Sequence, residues 1–333
     1  MSTRRARGRS LAALALAGVI AATLLTACSA SGERQLTGDL AVHDSAYAVA
    51  DGTQYVYSTG NAGVADGGIQ IRSSTDGIDW EYRGEVWPEK PAWLDAAVPG
   101  MSNFWAPELI EREGTWYLYY SASTFGSNSS VIAVETNTTL DPADPEYEWV
   151  DRGQVVSSDS SDDFNAIDPG VIVDAAGEPW LALGSFWSGI RMVALKWPDG
   201  LRSDSAEPAR LADRGSPPNA VEAPYIVEHG GDYFLFVSFD SCCQALDSTY
   251  HVVVGRADEV AGPYVDRDGI PLLNGGGTTI LAADGDVHIG PGGQSVADDT
   301  LAVHYYDGRL DGAFQLALLP LVWDAEGWPT ARW

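Results

Sequence analysis

The chain has 333 residues, and its 47 Asp and Glu against 19 Lys and Arg give a formal net charge of −28. A field of that sign repels phosphate backbones, so nucleic acid is excluded as a partner, while an uncharged polymer is indifferent to it. With 36 Gly, 18 Pro, 12 Trp and 14 Tyr, and few long apolar runs of helical period, the composition describes an all-β protein with many turns.

The N-terminus carries Arg4, Arg5, Arg7 and Arg9, then an alanine-rich apolar run from Leu11 to Leu25, then Thr26-Ala27-Cys28. Basic residues, a short apolar run and small residues in that order predict a secretory signal over residues 1–27. The run is too short to favour a permanent membrane helix. The small residues before Cys28 are similar to the lipobox of bacterial lipoproteins, which makes Cys28 the expected lipidated N-terminus and the outer face of the cell membrane the expected location; the alternative is an ordinary cleavable signal with an incidental Cys28 and a secreted protein. Removing residues 1–27 takes away four arginines and no acids, leaving 15 basic against 47 acidic residues, a net charge of −32. Residues 28–38 are small and polar and read as a tether, and residues 39–333 as one domain acting as a monomer. Apart from Cys28, only the adjacent Cys242 and Cys243 remain. They can form no disulfide framework and no C-x-x-C metal site, which leaves either a strained vicinal disulfide or two packed thiols.

Five segments share one plan, an apolar strand, a turn with Gly or Asp, and a strand rich in aromatic and β-branched residues. They begin near His43-Asp44, Trp105-Ala106-Pro107-Glu108, Ile167-Asp168-Pro169-Gly170, Glu222-Ala223-Pro224-Tyr225 and Gly290-Pro291-Gly292-Gly293. The second strands follow at Tyr55-Val56-Tyr57, Tyr117-Leu118-Tyr119-Tyr120, Leu181-Ala182-Leu183, Phe234-Leu235-Phe236-Val237 and Leu301-Ala302-Val303-His304. A period of roughly 54 to 68 residues suits four-stranded blades with long loops, so the prediction is a five-bladed β-propeller. Ser74-Thr75-Asp76-Gly77 before Trp80 predicts an outer hairpin, because Asp-Gly tolerates the positive φ of a tight reversal. A β-sandwich gives no reason for one motif to recur five times.

In a propeller the first strand of each blade lines the central channel, so equivalent positions meet at one end of it. The repeat therefore aligns Asp44 of blade one, Asp168 of blade three and Glu222 of blade four. Asp168 and Glu222 belong to neighbouring blades, and Asp44 faces them across the channel. Taken singly, each acid reads as a turn starter or a solvated cap. Together they have the layout of an inverting glycosidase, in which a raised-pKa acid protonates the leaving oxygen and a carboxylate roughly 6.5–9.5 Å away activates water. A neighbouring anion raises the acid's pKa. Position alone leaves Asp168 and Glu222 both eligible as the acid; the longer side chain favours Glu222.

At these residues the chain resembles glycoside hydrolase family 43, in its arabinan endo-1,5-α-L-arabinanase branch. The resemblance spans about residues 40–333 and rests on Val42-His43-Asp44, Phe104-Trp105-Ala106-Pro107-Glu108, Ser123-Thr124-Phe125-Gly126, Asn165-Ala166-Ile167-Asp168-Pro169, Gly184-Ser185-Phe186-Trp187, Glu222-Ala223-Pro224-Tyr225, Ser238-Phe239-Asp240-Ser241-Cys242-Cys243 and Gly290-Pro291-Gly292-Gly293-Gln294. It implies inverting endo-hydrolysis of arabinan or arabino-oligosaccharides, with Asp44 as general base, Asp168 as pKa modulator and Glu222 as general acid. It also implies sugar contacts at Gly126, at Asn165, Ala166, Ile167 and Asp168, and at Ser185, Phe186 and Trp187. Amides and hydroxyls suit furanose hydroxyls, and an indole face suits a sugar ring, as Trp105 would also provide at the channel mouth. The chemistry requires no cofactor. The resemblance further places a metal, usually calcium, on the propeller axis with His304 as a ligand, although calcium prefers oxygen and His304 by itself reads as a satisfied core histidine. Two alternatives stand beside this expectation. One is an exo-acting α-L-arabinofuranosidase or β-xylosidase of the same fold, and the other a surface lipoprotein that binds arabino-oligosaccharides without cutting them. A pure binder gains nothing from burying like charges together.

Overall fold

The unbroken apolar runs of the second strands are explained by a ring in which both faces of a strand are buried. Alternate side chains of a strand point to opposite faces. Tyr55 and Tyr57 pack toward Leu118 and Tyr120, while Val56 between them packs toward Ala302, Leu316 and Leu318. Phe234 and Phe236 likewise meet Leu301 and Val303, and Leu235 and Val237 meet Ile172 and Ala182.

The computed structural model describes residues 1–2, 33–61 and 67–333. Cys28 and nearly all of the expected signal peptide lie outside the described residues. Blade one pairs Ala46–Ala50, Thr53–Ser58, Gln70–Ser74 and Asp79–Glu85. Blade two pairs Phe104–Arg112, Thr115–Ala122, Ser130–Asn137 and Val150–Ser158. Blade three consists of Gly170–Val173, Pro179–Leu183, Ile190–Ala194 and Ala209–Ala212, and blade four of Val221–His229, Asp232–Phe239, His251–Ala257 and Thr278–Leu281. Blade five has His288–Ala297, Thr300–Asp307 and Ala313–Pro320. Each blade is an antiparallel meander, and a core cluster fills every junction, including that of blade five with blade one. The chain is a five-bladed β-propeller.

Two expectations are corrected. Blade five has three strands among the described residues rather than four. The segment expected as a tether is docked from residue 34 onward. The Arg34 amide donates to the Leu318 carbonyl (3.5 Å) and the Leu40 carbonyl accepts from the Leu316 amide (2.9 Å), along the outer strand of blade five. Thr37–Gly38 pairs in parallel with Asp79–Glu85 of blade one. Leu36 and Leu40 pack on the junction core, and the buried Arg72 guanidinium donates to Asp39 Oδ1 at 2.9 Å. Residues 34–40 thus clasp the ring where the chain closes it. The expected Asp76-Gly77 turn is present. Asp76 Oδ1 accepts from the Ile78 and Asp79 amides, Gly77 has φ 72°, and Trp80 is buried in the same junction.

Candidate active site

The backbone explains why the five motifs meet. Asp44, Ala106, Asp168, Ala223 and Gly293, one per blade, all have left-handed φ between 41° and 57°. For a non-glycine residue this costs about 1–3 kcal/mol and persists only where surrounding contacts impose it. Here the amide of each of these residues is caught by a side chain of the blade before it. Ala106 N–H donates to Thr59 Oγ1 at 2.8 Å, Asp168 N–H to Ser121 Oγ at 3.0 Å, and Gly293 N–H to Ser238 Oγ at 3.1 Å. Blade three has Gly184, with no side chain, at the corresponding place. There the carboxylate of Asp168 itself accepts from Ala223 N–H at 3.1 Å. The fifth link joins blade five to blade one, His304 Nδ1 accepting from Asp44 N–H at 3.1 Å. Residues of all five blades surround a cavity of about 20 Å³ on the axis, enough for about one water. A cavity of about 480 Å³ elsewhere, walled by Glu33, Asp284 and Tyr305, includes none of the three acids.

This pattern corrects the alignment of Glu222. The left-handed residue of blade four is Ala223, so Glu222 stands one position earlier, with His43, Trp105 and Ile167. In register Glu222 faces Ser238 as Trp105 faces Ser121. The three acids nevertheless meet, and Asp168 feels the charges of both Glu222 and Asp44.

Their environments differ. Asp44 Oδ2 accepts from Thr59 Oγ1 at 2.6 Å and lies 2.9 Å from His43 Nδ1. Burial pushes the Asp44 carboxyl up, but the charge and hydrogen bond of His43, with smaller help from His304 and Thr59, hold it well below the usual carboxylate range. His43 is driven the other way. Burial opposes its charge, and the Asp44 anion overrides this, so its pKa lies well above an ordinary imidazole's. Asp168 is raised by burial first and then by Glu222 and Asp44. Glu222 is raised by burial, against hydrogen bonds from Ser185 Oγ to Oε2 (2.6 Å) and Tyr250 OH to Oε1 (2.7 Å). Asp168 and Glu222 therefore titrate as a pair that holds a proton above the ordinary carboxylate range.

The expected sugar-contact residues fall into two groups. Trp187 is 41% exposed and Phe186 half-buried, on a turn where both have positive φ, and Gly126 lies on an exposed loop beside Phe125, 86% exposed. Trp105 is half-buried. Asn165, Ala166, Ile167 and Ser185 are buried. Asn165 Oδ1 accepts from Ser130 Oγ at 2.7 Å, and Ala166 belongs to the core between blades two and three, so these support the wall. Sequence reasoning missed Tyr250, which has no local motif. It reaches Glu222 because Glu222 pairs with Ser238 and Ser238 with Val252, two residues beyond it.

His304 does not offer the expected calcium ligand. It is fully buried, stacked on His43 with ring centroids 3.7 Å apart, and burial lowers its pKa well below 6.5. Its Nδ1 lone pair is committed to the Asp44 amide, so the neutral ring carries its proton on Nε2, a buried atom without a partner among the described residues. Near it, Asp44 supplies the one carboxylate of the cluster His43, Asp44 and His304. Calcium takes six to eight oxygens, so with Nε2 protonated an ion here would be held by Asp44 and water rather than by His304.

Glu108, on the same cavity, is 4% exposed and has no basic partner among the described residues. Burial raises its pKa well above the usual value, against hydrogen bonds from the Val171 and Leu109 amides. A carboxyl whose folded pKa exceeds its unfolded value contributes stability that is present at low pH and lost as pH rises through the folded pKa. Glu108→Gln is expected to keep the fold and to flatten the fall of Tm as pH rises above the ordinary carboxylate range. Thermal melts from that range upward check this, and an unchanged slope would count against it.

The model of Glycosyl hydrolases family 43 matches residues 38–329. An extracellular exo-α-(1→5)-L-arabinofuranosidase, ArbA of Cellvibrio japonicus, is 38% identical over 327 residues, covering 93% of this chain and 90% of its own length. An extracellular endo-α-(1→5)-L-arabinanase of Bacillus subtilis is 37% identical over 276 residues, covering 82% and 83%. The solved structure of a family 43 endo-arabinanase from Bacillus licheniformis superposes with a TM-score of 0.83 at 38% identity, covering 89% of this chain and 99% of that one. With its axial carboxylates and this similarity along nearly the whole propeller, the chain belongs to glycosyl hydrolase family 43 and is a glycosidase.

Proposed function

We propose that the protein is an exported enzyme that hydrolyses (1→5)-α-arabinofuranosidic bonds within arabinan, with inversion of configuration. The observation that carries this reading is the division of the acids into an ionised carboxylate, Asp44, and a proton-holding pair, Asp168 and Glu222. Two carboxyl environments pushed apart assign base and acid. Glu222 gives its proton to the leaving oxygen, and the hydroxyls of Ser185 and Tyr250 stabilise the anion that remains. Asp44 accepts a proton from water attacking the opposite face, while Asp168 repels the Glu222 anion and keeps the acid charged with its proton. The acidic surface is no obstacle to a neutral polymer. Trp187, Phe186 and Trp105 offer apolar faces to sugar rings. Export agrees with the extracellular relatives, and the small residues before Cys28 support a lipid anchor there.

The exo-acting relative supports a second reading, in which a product of fixed size leaves one chain end. Product sizing from linear arabinan separates the two. The expected result is an early ladder of oligosaccharides, with an inverted anomer seen first by NMR. A single short product from the earliest time point establishes exo action instead, and retention of configuration would remove the assigned roles of Asp44 and Glu222.

A further inference from the structure

The loop after the second strand of blade four brings two cysteines that hydrolysis does not use against His43. Cys243 has φ 63°, its amide donates to Tyr306 OH at 2.7 Å, and both Cys242 and Cys243 are free thiols. Cys243 Sγ lies 3.8 Å from His43 Nε2, and the ligating atoms of His43, Cys242 and Cys243 all fall within 4.8 Å of one another. Around zinc, with bonds of about 2.3 Å to sulfur and about 2.0–2.1 Å to nitrogen, tetrahedral neighbours stand about 3.5–3.8 Å apart. The three atoms need only a small contraction to reach this. Cys243 is exposed, which leaves a path for entry and a fourth position for water. The other imidazole nitrogen, Nδ1, faces Asp44 Oδ2 at 2.9 Å. A histidine that ligates a metal characteristically donates its second N–H to a carboxylate in this way.

We propose that His43, Cys242 and Cys243 form a binding site for a soft, thiophilic cation such as Zn²⁺, and that its occupancy inhibits the enzyme through His43 and Asp44. Two thiolates and one imidazole select zinc or Cu⁺ over calcium or magnesium. On binding, the thiols and the imidazolium release their protons to solvent, and Nε2 exchanges its 2.9 Å hydrogen bond to Tyr306 OH for the metal. Asp44 then keeps the Nδ1–H of His43 as its partner but faces a neutral, metal-bound imidazole in place of an imidazolium. The site stands on its own geometry, whereas its effect on hydrolysis rests on Asp44 as the base.

The test uses the fully reduced protein with Co²⁺ as a spectroscopic probe and Zn²⁺ as the inhibitor, on the native chain and on Cys242→Ser and Cys243→Ser. The expected result is one Co²⁺ per chain with a near-ultraviolet thiolate-to-metal band, weakened by about half in each variant. Zn²⁺ displaces the cobalt and lowers arabinan hydrolysis about tenfold or more relative to the same protein without metal, reversibly by a chelator. Both variants lose this sensitivity, each measured against its own metal-free rate. Cobalt bound without a thiolate band, or a band unchanged in both variants, overturns the site. Thiolate-bound metal with undiminished hydrolysis overturns instead the inhibition through His43 and Asp44, and leaves Asp44 as the base to be judged by the anomer of the product.

Discussion

Glu222→Gln is expected to reduce hydrolysis of arabinan by about 10³- to 10⁴-fold while leaving the fold intact, the upper part of what a positioned general acid contributes. Ser185 and Tyr250 donate to different oxygens of Glu222, so glutamine preserves the shape but accepts only one of these bonds and turns its amide N–H toward the other hydroxyl, and it has no proton of suitable acidity to give. The loss should depend on the leaving group. An aryl arabinofuranoside whose phenolate departs without protonation should lose far less, because the missing proton matters only to a poor leaving group. The native enzyme should show one descending limb as pH rises, since the buried pair must keep its proton and Asp44, held well below the usual range, stays ionised throughout. Tyr250→Phe removes a hydrogen bond that favours the Glu222 anion, so its descending limb should move to higher pH. Steady-state kinetics on both substrates across pH check these points. Equal losses on arabinan and on the aryl glycoside would mean that Glu222 is not the acid.

Gly293→Ala is expected to lower kcat by about 10²-fold, the scale on which a misplaced catalytic group acts. An added Cβ would lie 2.6 Å from Asp44 Oδ1 and 2.7 Å from His304 Nδ1, at a position with φ 56°. Neither neighbour can yield alone, because Asp44 is held by His43 and Thr59 and His304 is stacked on His43. The backbone strain should cost a further 1–3 kcal/mol or so of stability. Gly230→Ala serves as the comparison, since Gly230 also has φ 65° but nothing within 4 Å of the added carbon. It should lose stability and keep its turnover. Native turnover in Gly293→Ala, measured beside thermal melts of both variants, would show that the axial carboxylate is not positioned by this contact.

The ring was legible in the sequence because every blade repeats one strand–turn–strand unit, and because runs such as Phe234-Leu235-Phe236-Val237 are apolar on both faces, as only strands between two junctions need be. The fine register was less legible. Glu222 lies one residue before the position of Asp44 and Asp168, and the mark of this in the sequence is proline: Asp168 directly precedes Pro169, as Ala106 precedes Pro107, whereas Ala223 stands between Glu222 and Pro224. Asp44 and Asp168 were readable as acids, but not their opposite ionisation, which comes from His43 on one side and a buried neighbour on the other. Tyr250 and Thr59 escaped notice since their roles arise from pairing across strands. The docking of residues 34–40 was missed for another reason: beside Leu36, Leu40 and the Asp39–Arg72 pair, which form no periodic pattern in so short a stretch, the segment joins the ring by main-chain hydrogen bonds that any residues can make.

The link from His304 to the Asp44 amide spans the one junction where the ring is closed by non-covalent contacts, beside the clasp of residues 34–40. Heating works on such a ring unevenly, because a seam can loosen while four covalently linked junctions remain packed. Asp44 is among the residues held across that seam, and it is the one of them that carries a catalytic carboxylate. Activity is therefore expected to fall at temperatures where the blades themselves are still folded, which parallel melts of activity and of tryptophan fluorescence check.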